Sequence, residues 1–183
     1  MLAEKDHEWL QSFRTAIGST HPIRPVHGGF GTPCLKLAIT NQQLCLNILA
    51  LEYKSSAVLE HVPSRLYCHF IRGLFDGDGY IRHEMGTPRH TGYVPHTLEW
   101  SLMSQSRQLL ERLQYIFVTS CNIPLNKLYC YNNAWRWKVR GSKQVKRIAA
   151  FLYPEGDYPF LARKRGLMEW LPPVACGSCR ILL

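Results

Sequence analysis

Hydrophobic residues between positions 67 and 75 recur every three or four positions. They are Tyr67, Phe70, Ile71, Leu74 and Phe75. This spacing predicts one apolar face of a helix over about Arg65–Asp78. Gly79 is expected to end that helix by adopting the left-handed conformation.

The polar and apolar pattern downstream alternates between strands and helices. The predicted elements are strands Tyr80–Met85 and Thr97–Met103, a helix from Ser104 or Gln105 to about Phe117, strands near Leu128–Tyr131 and Trp135–Arg140 joined by a turn at Asn132-Asn133, a helix capped by Ser142 and running through Leu152, and a last helix over roughly Tyr158–Leu171. Helices and antiparallel strands in this order predict an α+β fold.

The chain contains a partial internal repeat. Residues 9–53 align with residues 109–153, and each copy has the order helix, loop, strand, helix. Only the second copy is preceded by a helix and two strands. We therefore predict a partial, truncated first lobe over residues 1–60, a complete lobe over 61–171 and a tail over 172–183. The segment Tyr53–Pro63 is predicted to link the lobes.

Composition narrows the class of partner. Hydrophobic residues make up 46% and charged residues 19% of the 183 residues, which is typical of a globular protein. The formal net charge of +9 favours a polyanion, with nucleic acid ahead of a membrane. No apolar run approaches the roughly 20 residues of a membrane span. Because Met1–Asp6 has no apolar signal core, we expect a cytoplasmic protein.

The cysteines predict neither a disulfide framework nor a complete metal site. Their number is seven, which is odd, and Cys45, Cys68 and Cys121 lie within apolar patterns. These three are expected to be reduced, small hydrophobic residues. Cys176 and Cys179 form a C-x-x-C pair that no second pair or nearby histidine completes, so the role of this pair stays open.

The strand Trp135–Arg140 is expected to carry cations on one face. Trp135, Trp137 and Val139 alternate with Arg136, Lys138 and Arg140. The strand expected beside it offers Tyr80, Arg82 and Glu84 on one face. Such a surface can lie in a DNA groove, where its side chains contact bases and phosphates. An ordinary solvated strand face is the alternative.

Two carboxylates, Asp76 and Asp78, lie at the end of the first predicted helix. This is the unfavourable end for an anion because the helix macrodipole is negative there. A turn is one alternative; a calcium loop fails because Leu74 occupies the first ligand position. Neither accounts for Gly73 and Gly77, whose spacing lets another helix approach closely. Carboxylate oxygens suit Mg²⁺, which needs few protein ligands when phosphate supplies others.

The segment Ile71–Gly79, Ile-Arg-Gly-Leu-Phe-Asp-Gly-Asp-Gly, resembles the signature of the LAGLIDADG (dodecapeptide, DOD-type) homing endonucleases. The order αββαββα and the segment 161–164, Leu-Ala-Arg-Lys, are similar to those of the same family, and the resemblance covers about residues 5–170. It implies a LAGLIDADG lobe with a saddle-shaped antiparallel sheet that binds double-stranded DNA. The implied activity is Mg²⁺-dependent hydrolysis of phosphodiester bonds at a long site, other divalent metals being possible.

The resemblance also implies site residues. Asp78 is expected to bind the metal, with the carbonyl of Gly77 as a further ligand. Gly73 and Gly77 are expected at an interface between two signature helices, with Asp76 organising the helix end and that interface. A basic residue near the end of the last strand is expected to assist catalysis. Arg140 is the best positional match and Lys138 is next. The implied DNA-binding residues are Tyr80, Arg82, Glu84, Arg136, Lys138 and Arg140.

The family uses two signature helices in each catalytic centre, and this sequence shows one. A second lobe is therefore expected, either from a missing upstream segment or, ranked below it, from a second copy of the chain. The alternative functions are a non-catalytic DNA-binding descendant, maturase-like or regulatory, and an inactive fragment. The DNA target and the host context, free-standing, intron or intein, stay open.

Overall fold

The computed structural model describes residues 2–52, 55–87, 90, 95–156 and 158–169. Its elements are β1 (Leu2–Ala3), α1 (His7–Ala16), β2 (Ile23–His27), β3 (Pro33–Leu37), α2 (Gln42–Ala50), α3 (Val58–His61), α4 (Tyr67–Asp78), β4 (Tyr80–Met85), β5 (His96–Ser104), α5 (Arg107–Cys121), β6 (Tyr129–Tyr131), β7 (Ala134–Arg140), α6 (Ser142–Leu152) and α7 (Ala162–Glu169). This arrangement confirms the predicted α+β class. The predicted tail, with Cys176 and Cys179, lies outside the described residues. Within those residues, no helix has the length and apolar character needed to cross a membrane.

The strands form two antiparallel sheets with orders β1-β3-β2 and β4-β5-β7-β6. The sequence interpretation placed β4 directly beside β7, which is wrong. The strand β5 lies between them, because strands that are consecutive in the chain commonly pair with each other, as β4 and β5 do. Arg82 is opposite Glu99, and Glu99 is in turn opposite Arg140. The face that carries the cations therefore contains a third strand that the sequence interpretation left out.

Helices α4, α5 and α6 cover the other face of the second sheet. Stacked and edge-on aromatic rings fill the space between them. The ring centroids of Phe75 and Trp100 are 5.3 Å apart, and those of Trp100 and Trp137 are 5.0 Å apart. Phe117 on α5 contacts both tryptophans. Because Ile71 and Phe75 are fully buried, this core fixes the position of α4 on the sheet.

Several predicted boundaries are wrong. Helix α5 begins at Arg107 rather than at Ser104 or Gln105, and it ends at Cys121 rather than at about Phe117. The segment Tyr53–Pro63 is not only a linker, since it contains α3, whose Val58 and Leu59 are buried in the core of the second sheet. Ser142 is the first residue of α6, and Gly141 is its N-cap. The last helix begins at Ala162, four residues late, because the segment before it contains a proline that disfavours helix for its predecessor.

The first sheet repeats part of the second. The order α1-β2-β3-α2 is the same as α5-β6-β7-α6, and β1 pairs with β3 as β5 pairs with β7. However, α2 is exposed along its whole length, whereas α6 is half-buried. Leu46 is 52% exposed and Leu49 is 67% exposed. The described residues contain no counterparts of α4 and β4, which in the second sheet lie beside β5 and α6.

Gly79 ends α4 for a reason that the sequence did not suggest. Its φ of −78° and ψ of 155° are extended, so the predicted left-handed conformation is wrong. A Cβ atom at this position would lie 2.0 Å from Cδ2 of Phe75 and 2.4 Å from the carbonyl oxygen of Phe75. The position therefore requires glycine because the backbone passes directly against a buried aromatic ring.

We expect Gly79→Ala to lower the free energy of unfolding by about 1–3 kcal/mol, because the added methyl overpacks against Phe75. Gly73→Ala is the matched control, since a Cβ there meets nothing within 4 Å. In the interior of α4 it is expected to raise stability by about 0.5–1 kcal/mol. Urea denaturation of both variants measures the difference. Equal effects would contradict the close approach at Gly79.

Candidate nucleic-acid interface and acidic helix end

One face of the second sheet carries polar and cationic side chains. The cross-strand pairs on this face are Tyr80–Ser101, Arg82–Glu99, Glu84–Thr97, Ser101–Lys138, Met103–Arg136, Glu99–Arg140 and Tyr129–Arg136. A groove of about 880 Å³ runs over the β6–β7 side of this face. We call this face of the sheet the cationic face. It brings together all of the residues predicted to contact DNA.

Glu99 organises the cations of this face. Its side chain is almost fully buried. Its carboxylate lies 3.6 Å from Arg136, 3.5 Å from Lys138 and 3.2 Å from Arg140. The sequence interpretation missed Glu99. Its strand alternates Thr97, Glu99 and Ser101 on one face, but only the register shows that this face meets the cations.

Glu84 forms a second set of ion pairs at the end of the cationic face. It lies 3.3 Å from Arg82 and also contacts Arg140. Arg140 therefore has two carboxylate partners, whereas Lys138 has one. Four basic side chains and two acidic ones make up the charge of this face, so its surplus is cationic but smaller than the sequence alone suggested.

Asp78 is the last residue of α4 and is exposed. Among the described residues, its carboxylate accepts no hydrogen bond and forms no ion pair within 4 Å. It lines a cavity of about 440 Å³ with Leu74, Leu102, Met103 and Gln105. Met103 pairs with Arg136 on β7. The free acid thus lies at the edge of the cationic face, near the Met103–Arg136 pair.

Asp76 has the opposite environment. Its carboxylate is buried and accepts hydrogen bonds from the Tyr153 hydroxyl at 2.9 Å and from the Leu161 amide at 3.0 Å. Burial raises the pKa of Asp76, and these two hydrogen bonds oppose the rise. The acid holds the segment before α7 against α4. The expectation that Asp76 organises the helix end and an interface between two signature helices stays a prediction.

Lys164 lies beneath the same helix end. Its ammonium group donates hydrogen bonds to the carbonyl oxygens of Phe75 at 2.6 Å, Asp76 at 2.9 Å and Gly79 at 2.7 Å. Burial lowers the pKa of Lys164 to about 8, and Asp76 opposes this effect. Because Lys164 follows Phe75 by 89 residues, only the tertiary structure shows the contact.

Gly73 and Gly77 lie on a third side of α4. Neither has an atom within 4 Å of a Cβ built there. Leu66 and Phe70 share this side, with Leu66 being 40% exposed. We call it the open side of α4. Phe70 packs partly against the core, but the space next to the two glycines is free of contact with the rest of the described chain, so a helix could approach closely there.

The donor atoms at the end of α4 suit a hard divalent cation. Asp78 offers a free carboxylate, and Gly77 precedes it at the last turn, where helix carbonyls lack intrahelical partners. The described residues contain no cluster of three or more histidine, cysteine or acidic side chains that could hold a metal. The chain therefore supplies a small part of a coordination shell, which fits Mg²⁺ because Mg²⁺ keeps waters and takes phosphate oxygens.

A family profile and several solved structures match this chain. Residues 65–150 match the family profile described as LAGLIDADG-like domain, which confirms the resemblance that the signature predicted. A search of curated proteins found no match. The LAGLIDADG meganuclease I-AabMI, solved bound to uncleaved DNA, shares the fold with a TM-score of 0.55 at 17% identity, over 90% of this chain and 75% of that chain. At this identity, the likeness establishes the fold alone.

Two other solved structures have lower scores, and nothing further rests on them. I-CvuI, in complex with its target DNA and Ca²⁺, gives a TM-score of 0.43 at 17% identity, over 57% of this chain and 62% of that chain. The archaeal intron-encoded I-Vdi141I, complexed with DNA, gives 0.43 at 14% identity, over 58% and 65%. This chain thus spans less than two thirds of the length of both proteins.

Proposed function

Since residues 65–150 form a LAGLIDADG-like domain, we propose that the chain binds double-stranded DNA and hydrolyses phosphodiester bonds with Mg²⁺. The observation that carries this proposal is the free carboxylate of Asp78 at the edge of the cationic face. The meganuclease I-AabMI, which shares the fold, was solved bound to DNA, and this supports the partner class.

The cationic face supplies the proposed DNA contacts. Arg82, Arg136, Lys138 and Arg140 neutralise phosphates or donate to base edges, while Tyr80 and Glu84 add hydrogen-bonding and stacking groups. Glu99 holds three of the four cations in a row. A base that displaces one of these cations from Glu99 must offer a better acceptor, so the acid contributes to discrimination between bases.

Asp78 and the carbonyl of Gly77 are the proposed Mg²⁺ ligands of this chain. When bound, the metal supplies Lewis-acid stabilisation of charge on the phosphate and a more acidic water. Of the two predicted basic residues, we propose Lys138 for assistance in catalysis. It shares a cross-strand row with Ser101 and Tyr80, two residues from Asp78. Arg140 lies one row further away and has two carboxylate partners.

The second acid of the centre is proposed to come from a second lobe packed on the open side of α4. The open space next to Gly73 and Gly77 supports this proposal, because it would allow close approach of a second helix. The exposed apolar residues of α2 also suit a counterpart of α4 and β4. We rank an additional polypeptide segment above a second copy of this chain as the source of that lobe, because α1-β2-β3-α2 already repeats half of a lobe.

Selection from a library of double-stranded DNA tests the proposal. Binding measured in Ca²⁺ is expected to weaken as salt rises, with a slope set by the number of phosphates neutralised. Cleavage of selected sites is expected with Mg²⁺ and is lost in EDTA. The absence of binding at about 50 mM salt would contradict the proposal, since non-specific binding is electrostatic and strongest at low salt.

A non-catalytic DNA-binding protein is the second candidate. Two observations favour this alternative. Asp78 is the one free acid at the site among the described residues, and the cations pair with Glu84 and Glu99. This alternative predicts salt-dependent binding without cleavage in Mg²⁺, Mn²⁺ or Co²⁺.

The source of the second lobe is tested by sedimentation of the protein with and without DNA. A dimer would indicate a second copy of the chain, and a monomer would indicate a lobe supplied elsewhere.

A further inference from the structure

The end of α4 combines three features that are unfavourable together. The last carbonyls of a helix lack amide partners, the macrodipole is negative there, and two acids occupy positions 76 and 78. Gly79 follows in extended conformation and ends the helix; its amide donates to the Phe75 carbonyl oxygen at 2.8 Å, and the carbonyls after Phe75 gain no further helical amide partner. Without a cation, this helix end would fray, and the residues that carry the proposed metal ligands would lose their fixed position.

Lys164 supplies that cation from a distant part of the chain. Its three hydrogen bonds reach carbonyls on both sides of the pair Gly77–Asp78, at Asp76 before it and at Gly79 after it. A lysine ammonium is a compact charge with three donors, and it suits three converging carbonyls. The donors of an arginine lie in the plane of the guanidinium, so an arginine could not donate to these three carbonyl oxygens from a single nitrogen.

The helix that carries Lys164 is itself anchored. Arg163 on α7 makes a two-point ion pair with the buried Asp6 at 2.9 and 3.2 Å. The amide of Leu161 donates to Asp76. Helix α7 is thus held at two points, and this places Lys164 beneath the end of α4.

We propose that Lys164 is a positioning residue for the proposed metal site, fixing the orientation of the Asp78 carboxylate and the Gly77 carbonyl. Only the expected effect of Lys164 on cleavage rests on the proposed function. The order that Lys164 imposes on the end of α4 exists whether or not the chain cleaves DNA. Lys164 touches neither substrate nor metal and acts through the backbone.

The test is Lys164→Met, which keeps the length of the side chain and removes the charge and donors. In the full chain, amide hydrogen exchange at Gly77, Asp78 and Tyr80 is expected to be about tenfold faster, while exchange in the middle of α5 changes less than about twofold, because the opening is local. Lys143→Met, at an exposed lysine of α6, is the matched control and is expected to change neither.

A spectroscopic signature separates positioning from general support. Mn²⁺ is expected to broaden the amide resonances of Gly77 and Asp78 in the wild type. Lys164→Met is expected to need about tenfold more Mn²⁺ for the same broadening. The DNA affinity in Ca²⁺ is expected to stay within about twofold, because the cationic face is untouched. The rate of single-turnover cleavage by Lys164→Met is expected to be about tenfold lower than that of the wild type in the same assembly.

The outcomes are distinguishable. Unchanged exchange at Gly77 and Asp78 in Lys164→Met would overturn the inference, and so would an equal rise throughout α4 and α5. Wild-type protein without Mn²⁺ broadening or cleavage would overturn the proposed metal site, while the exchange data still test Lys164. Should Lys164→Met fail to fold, Lys164→Arg keeps the charge. The exchange rates of these amides in Lys164→Arg are expected to lie between those of the wild type and those of an unprotected amide. Rates equal to the wild type would contradict the role of the three hydrogen bonds from Lys164 to the carbonyls.

Discussion

Replacing Asp78 by asparagine is expected to lower the rate of Mg²⁺-dependent DNA cleavage about 10³-fold or more. The substitution keeps the size of the side chain but removes the anionic oxygen that the proposed site offers to the metal. Loss of several kcal/mol of charge stabilisation in the transition state corresponds to about three orders of magnitude. Single-turnover cleavage of a selected site, with the assembly that cleaves it, measures the effect.

DNA binding provides the internal check on Asp78→Asn. Affinity in Ca²⁺ is expected to change little, or to rise slightly, because in the proposed complex the exposed carboxylate would repel nearby phosphates. Glu111→Gln removes another exposed acid, one that pairs with Arg107 at 2.8 Å on α5. It is the matched control and is expected to cleave at the wild-type rate. Cleavage that survives Asp78→Asn would refute the role of this residue.

Asp76→Ala is expected to have the largest effect on stability, lowering the free energy of unfolding by about 3–5 kcal/mol. The variant leaves the Tyr153 hydroxyl and the Leu161 amide without their acceptor. It also removes a negative charge near the buried Lys164 and Arg72. Urea denaturation followed by circular dichroism measures the change. Asp78→Ala, two residues away and exposed, should stay within about 0.5 kcal/mol.

The pH dependence of Asp76 has the opposite sign to that of a salt-bridged surface acid. Its pKa is raised by burial, so the folded chain binds this proton more tightly than the unfolded chain does. Stability relative to Asp76→Asn is therefore expected to rise as pH falls from 7 towards the ordinary pKa of an aspartate, near 4. A difference that falls instead would show that the hydrogen bonds and nearby cations outweigh burial.

The sequence was sufficient for those features that depend on neighbouring residues. The strand Tyr80–Met85 and the turn at Asn132-Asn133 were predicted as observed. Alternation fixes which side chains share a strand face, and two adjacent asparagines tolerate the positive φ of the turn. The apolar stripe of α4 was also sufficient, because helical spacing alone defines it. In the site, the row of cations on β7 followed from the same local patterns, whereas only the family resemblance distinguished Asp78 from Asp76.

Other features depend on contacts between distant residues, and local patterns do not contain them. Gly79 is required by the ring of Phe75, which fixes the backbone path at the end of α4. The burial of Val58 and Leu59 arises because α3 packs on the second sheet rather than crossing solvent. The role of Glu99 needs the register of β5 between β4 and β7, and the role of Lys164 needs the docking of α7.

Glu84 and Glu99 give the proposed DNA-binding surface its own built-in counterions. A non-specific stretch of DNA must compete with these carboxylates for each arginine and lysine, so it gains less than the number of cations implies. The salt dependence of non-specific binding should accordingly be shallower than four phosphate contacts would give. A protein that searches a genome for one long site benefits from this, because brief stays at wrong sequences leave more of its time for the right one.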